Sequence, residues 1–346
     1  MPFVEYKQYR PKEAAQDLII HCNRILDNMT EKGYTLTLRQ LYYQLVTENR
    51  IPNTDKSYDR LKGVVGKARD GGMIDWNHIQ DRGRSLRSVA QWDDPRDFIR
   101  HVVPQFRTDH WEGQLRRVEV WVEKDALAEV VGRPSRRWGV PYFPNKGYVS
   151  ASAAWAAGQR FQRYGLMGQD VVIIHLGDHD PSGIDMTRDV TERVRQYSSL
   201  TASVVADYQN EMGTSNRPRS VHIEVRRLAL NLDQVNELQL QPNPTKLTDS
   251  RAPDYVDQFG TDSWELDAIP VEQIDELISN EIQSIMDQPL YDARVQLDSE
   301  YSRQLNELPP NWDEVIRFLQ AIDYDSAAAI EFLNDQLGED HDDQDD

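Results

Sequence analysis

VEVWVEKDA (residues 118–126) and VVIIHLGDHDPSG (residues 171–183) decide how this chain folds. Each opens as an alternating or continuous apolar run, the pattern of a buried strand. Each closes on acidic residues where a loop begins. Open parallel sheets present their chemistry at the carboxyl ends of their strands. Glu123, Asp178 and Asp180 are therefore expected on one rim, with Asp125 nearby. Carboxylates gathered in one cleft repel each other unless a cation neutralises them. Hard oxygen donors with open water positions suit Mg²⁺, with Mn²⁺ as the alternative. Acidic residues after strands also cap helices and form Asx turns, and Asp180-Pro181-Ser182-Gly183 taken alone fits such a turn equally well. The pairing of a strand-end Glu with a later Asp-x-Asp shifts the balance toward metal.

Outward from these two strands, strand and helix alternate. The pattern predicts a helix over residues 126–137, a short strand over 140–143, an Ala-rich helix over 148–164, a helix over 184–198 and a strand over 221–228. Such alternation indicates an α/β layer with a mainly parallel sheet. Residues 231–238 read as a helix, and QPNPTKLTDSRAPDY (residues 241–255) reads as a loop. Residues 271–286, 288–306 and 311–336 read as helices, the last two acidic. The tail GEDHDDQDD (residues 338–346) has the composition of disorder.

Upstream, residues 12–30 form an amphipathic pattern stopped by Gly33. Thr37 and Gln40 make a capping-box pair before a second helix carrying Leu38, Leu41, Tyr42 and Leu45. A third helix spans residues 55–70, halted by Gly71-Gly72. Its Leu61, Val64, Val65 and Ala68 face a core, while Lys56, Arg60 and Lys67, with Lys62 further round, line an exposed basic side. Short extended pieces from Met73 to Asp81 would complete a winged helix, with the third helix placed in a major groove. A merely solvated helix face is the plainer account of such a charge run. The expected organisation is a winged-helix domain over residues 1–110, an α/β domain with a C-terminal helical extension over 115–336, and an acidic tail over 337–346.

The chain of 346 residues carries a net charge of −19. That total hides an asymmetry. Residues 1–117 hold 20 Lys and Arg against 16 Asp and Glu, whereas the other 229 residues hold 19 against 42. A basic front on an otherwise repelling body suggests a DNA-facing region. No apolar run has transmembrane length, and the charged start MPFVEYKQYRPKEAAQD lacks an apolar signal core. The single cysteine, Cys22, fits a reducing compartment. A cytoplasmic protein without a membrane partner is expected. No Walker P-loop is present, so this chain offers no ATP-driven step of that type.

VEKDA (residues 122–126), KGY (residues 146–148) and GDHDPSGID (residues 177–185), in that order, resemble the Toprim domain of the Spo11 and topoisomerase VI A-subunit family, closest to its short stand-alone mini-A proteins. TLRQLYY (residues 37–43) resembles that family's winged-helix tyrosine motif. The resemblance covers roughly residues 35–270. It implies Mg²⁺ held by Glu123, Asp178 and Asp180, with Glu265 as an auxiliary ligand or simply part of a helix-start acidic cluster. It implies Tyr43 as the nucleophile that attacks double-stranded DNA and becomes joined to the 5′ phosphate. Arg39, one turn before Tyr43 on the same face, would hold the scissile phosphate or the phenolate. Lys124 and Lys146 would contact phosphate or pair with nearby carboxylates. The resemblance further implies a homodimer, the tyrosine of one subunit meeting the metal site of the other, and leaves open a separate B-like ATPase subunit. By periodicity alone Tyr42 joins the apolar face and Tyr43 is a surface aromatic. Two other readings stay open: a Toprim-type nuclease that uses water, and a DNA-binding regulator with an inactive Toprim fold.

Overall fold

The computed structural model describes residues 3–80, 89–215 and 218–324. Four strands, β1 (Arg116–Val122), β2 (Tyr142–Pro144), β3 (Asp170–Leu176) and β4 (Ile223–Ala229), form an all-parallel sheet in the order 2-1-3-4. Val122 stands opposite Leu176, so the residues that follow both strands emerge side by side. From β1 the chain moves to one neighbour, then returns past it to the other. The strand order reverses at the β1/β3 boundary, and open α/β sheets bind ligands at the carboxyl side of such a switch point.

Three helices lead into the sheet: α1 (Glu13–Glu31), α2 (Leu38–Thr47) and α3 (Asp55–Asp70). Thr37 and Gln40 cap α2 reciprocally, as the capping-box spacing predicts. Following α3, Asp75 accepts from the Asn77 N–H at 2.7 Å and turns the chain into a 3-10 turn, Trp76–His78. Arg69 donates to the carbonyls of Trp76 and Ile79. Those bonds take up acceptors that a strand ladder would need. Among the described residues this segment makes only isolated bridges, Glu5 with Gly71 and Leu36 with Ile79, instead of the expected strand pair. Residues 81–88, with Arg82, Arg84 and Arg87, lie outside the described residues.

The other helices are α4 (Pro95–Val102), α5 (Ala128–Arg137), α6 (Ala151–Leu166), α7 (Pro181–Tyr197), α8 (Ala202–Met212), α9 (Leu232–Glu237), α10 (Ala252–Phe259), α11 (Val271–Ile285), α12 (Gln288–Asn306) and α13 (Trp312–Tyr324). On one sheet face, Trp121 and Ile173 pack with Ala154, Ala157 and Phe161 of α6 and Val190 and Val194 of α7. Alternation along β1 sends Val118, Val120 and Val122 to the opposite face, where α5 and α11 pack. Glu119 shares the α6 face yet is buried; it accepts two bonds from Arg160 and one from the Trp121 indole, which satisfies its charge. β5 (Asn243–Pro244), in the stretch expected to be loop, pairs antiparallel with β6 (Asp262–Ser263), beyond that stretch, as a two-stranded ribbon.

Two compact units divide the chain. The first joins Met1–Ser85 with Gly113–Asp287, so the N-terminal helices and the sheet share one body. The second joins Leu86–Glu112 with Gln288–Asp346. In that second unit Asp298 of α12 accepts from the Thr108 N–H at 2.7 Å and from its hydroxyl at 2.6 Å, and it pairs with His110. The predicted acidic tail lies outside the described residues. No described helix is long and apolar enough to cross a membrane.

Candidate functional site

The carboxyl edge of β1 and β3 collects the acids. Glu123 Oε2 accepts from the Asp178 N–H at 2.9 Å, and the Glu123 N–H donates to Leu176 O at 2.8 Å. Only 9% of Glu123 and 8% of Asp178 is exposed. Gly177 permits the approach, since a Cβ there would stand 3.0 Å from Glu123 Oε2. Burial and then the charge of Asp178 push the Glu123 carboxyl up to about 7. Burial also raises Asp178, against the pull of Lys124.

Asp180 behaves differently. It is the N-cap of α7, accepting from the Gly183 N–H at 2.6 Å and the Ser182 hydroxyl at 3.0 Å. The helix starts at Pro181, three residues earlier than the periodicity predicts, because this cap and a proline at its first position favour it there. His179 is buried among Tyr255, Phe259 and Trp264 and hydrogen-bonded to the Tyr255 hydroxyl at 2.7 Å.

Lys124 supplies the positive charge among these acids. Its ammonium lies 2.9 Å from Asp178, 2.7 Å from Asp267 and 3.0 Å from Glu265. Burial opposes the charge, but Asp267, Asp178 and Glu265 together hold the ammonium well above its usual range. Arg39 from α2 pairs with Glu265 and lies 3.7 Å from Asp267. Burial works against ionised Glu265, yet Lys124 and Arg39 outweigh it and bring the carboxyl down to about 2. Arg39 also donates to Tyr43 Oη at 3.5 Å. One unbroken run of polar contacts thus joins Tyr43, Arg39, Glu265, Lys124, Asp178 and Glu123 within a single chain.

Tyr43 is not the surface aromatic that periodicity predicts; only 6% of it is exposed. Helix α2 is covered on a second side by residues 265–268, more than two hundred positions away in sequence. Burial, then Glu265, raise its phenol above the ordinary tyrosine range, with Arg39 pulling the other way. Tyr43 lines a cavity of about 240 Å³.

Among the described residues no group of three or more His, Cys, Asp or Glu side chains is arranged to hold a metal ion. The donor chemistry nevertheless suits a hard dication, because Glu123 and Asp178 are buried carboxylates at adjoining strand ends, close enough that the charge of Asp178 raises Glu123. Glu123 and Asp178 are brought together; Asp180 has one oxygen committed to the helix cap, and Lys124 occupies the space between Asp178, Asp267 and Glu265.

The expected DNA-contacting residues are placed unevenly. Lys56, Arg60 and Lys67 are exposed along α3, Arg60 reaching back to Ala14 O at 3.4 Å. Lys146 is exposed in the left-handed region at φ 57°, 3.4 Å from Asp125. Lys124 is committed to carboxylates. Tyr148 of the KGY stretch donates to Asp185 at 2.6 Å, and Arg251 donates to the same carboxylate at 2.9 Å.

Two contributors escaped the sequence reading. Arg227 of β4 is half-buried under the turn from β3 into α7 and donates to the carbonyls of Gly177, Asp178, Gly183 and Leu230. Its signal was a paired Arg226-Arg227 inside an otherwise strand-like run. Asp267 is the other; Leu266, just before it, donates its N–H to Asp178 Oδ1 at 2.7 Å. No protein-family model, curated protein or solved structure matches this chain.

Proposed function

We propose that this chain cleaves DNA by tyrosine transesterification, in the manner of the topoisomerase VI A-subunit and Spo11 family, with Tyr43 as nucleophile. In that reaction Tyr43 Oη bonds to phosphorus and gives up its proton. The bond to the 3′ oxygen breaks, and that oxygen takes up a proton. A 5′-phosphotyrosyl link and a free 3′ hydroxyl result. The link conserves the bond energy, so resealing needs no further cofactor.

The observation that carries this reading is the meeting of Glu123 and Asp178 at the switch point of a parallel sheet; Tyr43 is linked to these acids within its own chain, through Arg39, Glu265 and Lys124, where the resemblance implies those of a partner subunit. Glu123, Asp178 and the free oxygen of Asp180 are the residues that would hold Mg²⁺, or Mn²⁺ in its place. When bound, such an ion neutralises phosphoryl oxygens and the leaving 3′ oxygen. Arg39 is placed to orient the phenol and, once Glu265 releases it, a phosphate. Helix α3 of the N-terminal three-helix module would enter the major groove with Lys56, Arg60 and Lys67 toward phosphates, and Lys146 would meet the backbone beside Glu123. A C2 homodimer would cut both strands.

One observation favours a second reading, the water-using nuclease: the Tyr43 phenol is buried and held protonated. A denaturing gel separates the two. Supercoiled plasmid is incubated with the protein and Mg²⁺ or Mn²⁺, then digested to reveal DNA-linked protein. Transesterification requires an adduct that disappears in Tyr43→Phe and in Glu123→Gln. Full cleavage by Tyr43→Phe with no adduct from the wild type assigns the nuclease instead.

A further inference from the structure

The cavity beside Tyr43 has a chemistry of its own. Its walls carry three tyrosine rings, with Tyr42 set edge-on to Tyr43 and to Tyr58, each pair 5.2 Å apart. Tyr42 and Tyr43 are buried, so Tyr58, which is half-buried, is the ring that offers a surface of the kind on which bases stack regardless of sequence. The cavity rim carries Asn53, Asp55 and Asn243. Tyr42 Oη donates to Asn53 Oδ1 at 3.0 Å, and the Asn53 amide donates to Asn243 Oδ1 at 2.8 Å. The Asn243 NH₂ group and the exposed Asp55 carboxylate remain as a donor and an acceptor for a ligand edge.

Size and charge narrow the ligand. At about 240 Å³ the cavity falls below the range of drug-sized ligand pockets, roughly 300–1,000 Å³, and suits one flat ring system. Asp55 and Glu265 border it, and Arg39, the one cation lining it among the described residues, is already paired with Glu265. That balance repels a phosphate and accepts a neutral group with hydrogen-bond donors on its edge. A second cavity of about 360 Å³ shares the Arg39, Asn243, Pro244 and Glu265 walls and contains Lys124, Lys246, Asp178 and Asp180. The two cavities adjoin across these four shared residues, with cations and metal-type acids on one side and tyrosine rings on the other.

We infer that the tyrosine-lined cavity receives a single unstacked nucleobase bearing edge amino groups, from the nucleotide that adjoins the phosphate held in the other cavity. This rests on the reading of the chain as a DNA-processing protein. A carboxylate such as Asp55 accepts well from the paired imino and amino groups of guanine or from the amino group of cytosine. Thymine presents two carbonyls around one N–H and is disfavoured. The pocket would make the cleavage position base-selective, and it pays the cost of unstacking with ring contacts.

Saturation-transfer NMR on the full chain with deoxyguanosine, deoxycytidine and thymidine tests this without any phosphate. The expected result is transfer to the deoxyguanosine base proton at least fivefold stronger than to that of thymidine. Tyr58→Leu, which keeps an apolar side chain against Tyr42, should cut that signal at least fivefold. Asp55→Asn, a near-isosteric change, should bring the nucleosides closer to parity. Absent transfer in the wild type, or equal transfer in wild type and both variants, overturns the inference. The phosphotyrosyl adduct is scored separately. An adduct without nucleoside selectivity sinks the pocket and spares the cleavage reading; selectivity without an adduct does the reverse.

Discussion

Lys124 Nζ lies 2.9 Å from Asp178 Oδ1, so the residue that follows Glu123 neutralises the acid that follows β3. The same ammonium meets Asp267 at 2.7 Å and Glu265 at 3.0 Å. A cation is therefore built into the acidic edge. Removing one partner of a buried pair costs about 3–5 kcal/mol, because the remaining charges lose their compensation. Lys124→Met should lower the melting temperature accordingly. If these acids accept a dication, Mg²⁺ or Mn²⁺ should restore much of the loss. The metal-induced rise in Tm should exceed that of the wild type, since the ion no longer competes with an ammonium. A variant that stays equally unstable with and without metal would remove the case for a cation site here.

Glu123 sets a pH dependence whose sign follows from its raised pKa of about 7. In the unfolded chain a glutamate titrates near ~4.3. Between these values the folded form keeps a proton that the unfolded form has lost. The contribution of Glu123 is therefore full at low pH, declines as pH rises toward 7 and is gone above it. The span corresponds to a stability difference on the order of 3 kcal/mol. Glu123→Gln should flatten that slope and exceed the wild type in urea midpoint above pH 7, while abolishing cleavage. A wild type that gains stability steadily from about pH 5 to pH 8 through this residue would contradict the assignment.

The edge acids were legible because strand pattern and strand end are local properties: residues 118–122 and 171–176 alternate or run apolar, and the acids come next. The capping pair Thr37 and Gln40 was legible for the same reason. Tyr43 was misread because helical periodicity assumes a single covered face. Helix α2 has two, the second supplied by Glu265 and the turn Leu266–Ala268. Nothing near residue 43 encodes that. Asp180 shows another limit. A side chain that fits both a helix cap and a metal site is assigned by what surrounds it, and here Gly183 and Ser182 take one of its oxygens. Arg227 showed only as half of an arginine pair in a strand-like run, for a related reason. Three of its four carbonyl partners, Gly177, Asp178 and Gly183, lie more than forty residues earlier.

The exposed lysines of α3 give a salt-dependence test. Phosphate contacts release condensed counterions, and each lost contact lowers the slope of log K against log salt by about 0.9. Lys56→Gln with Lys67→Gln should therefore reduce that slope by about 2 and weaken binding to unrelated duplexes by similar factors. Circular dichroism should be unchanged, as both side chains are exposed. An unaltered slope would reassign the stripe to simple solvation.

Two glycines at the acidic edge separate folding from function. A Cβ at Gly183 would stand 2.2 Å from Asp178 O, a backbone atom fixed by the Arg227 guanidinium at 2.6 Å. Neither side can yield, so Gly183→Ala should cost more than the ~1–3 kcal/mol typical of overpacking and leave little folded protein. At Gly177 the nearest atom is Glu123 Oε2 at 3.0 Å, the far end of a side chain. That carboxylate can swing away at the cost of its 2.9 Å bond from the Asp178 N–H. Gly177→Ala should therefore fold with a small loss of stability. A Glu123 so displaced no longer faces Asp178, and metal-dependent cleavage should fall at least tenfold. If Gly177→Ala cleaves like the wild type while Gly183→Ala unfolds, the contact between Glu123 and Asp178 is only architectural.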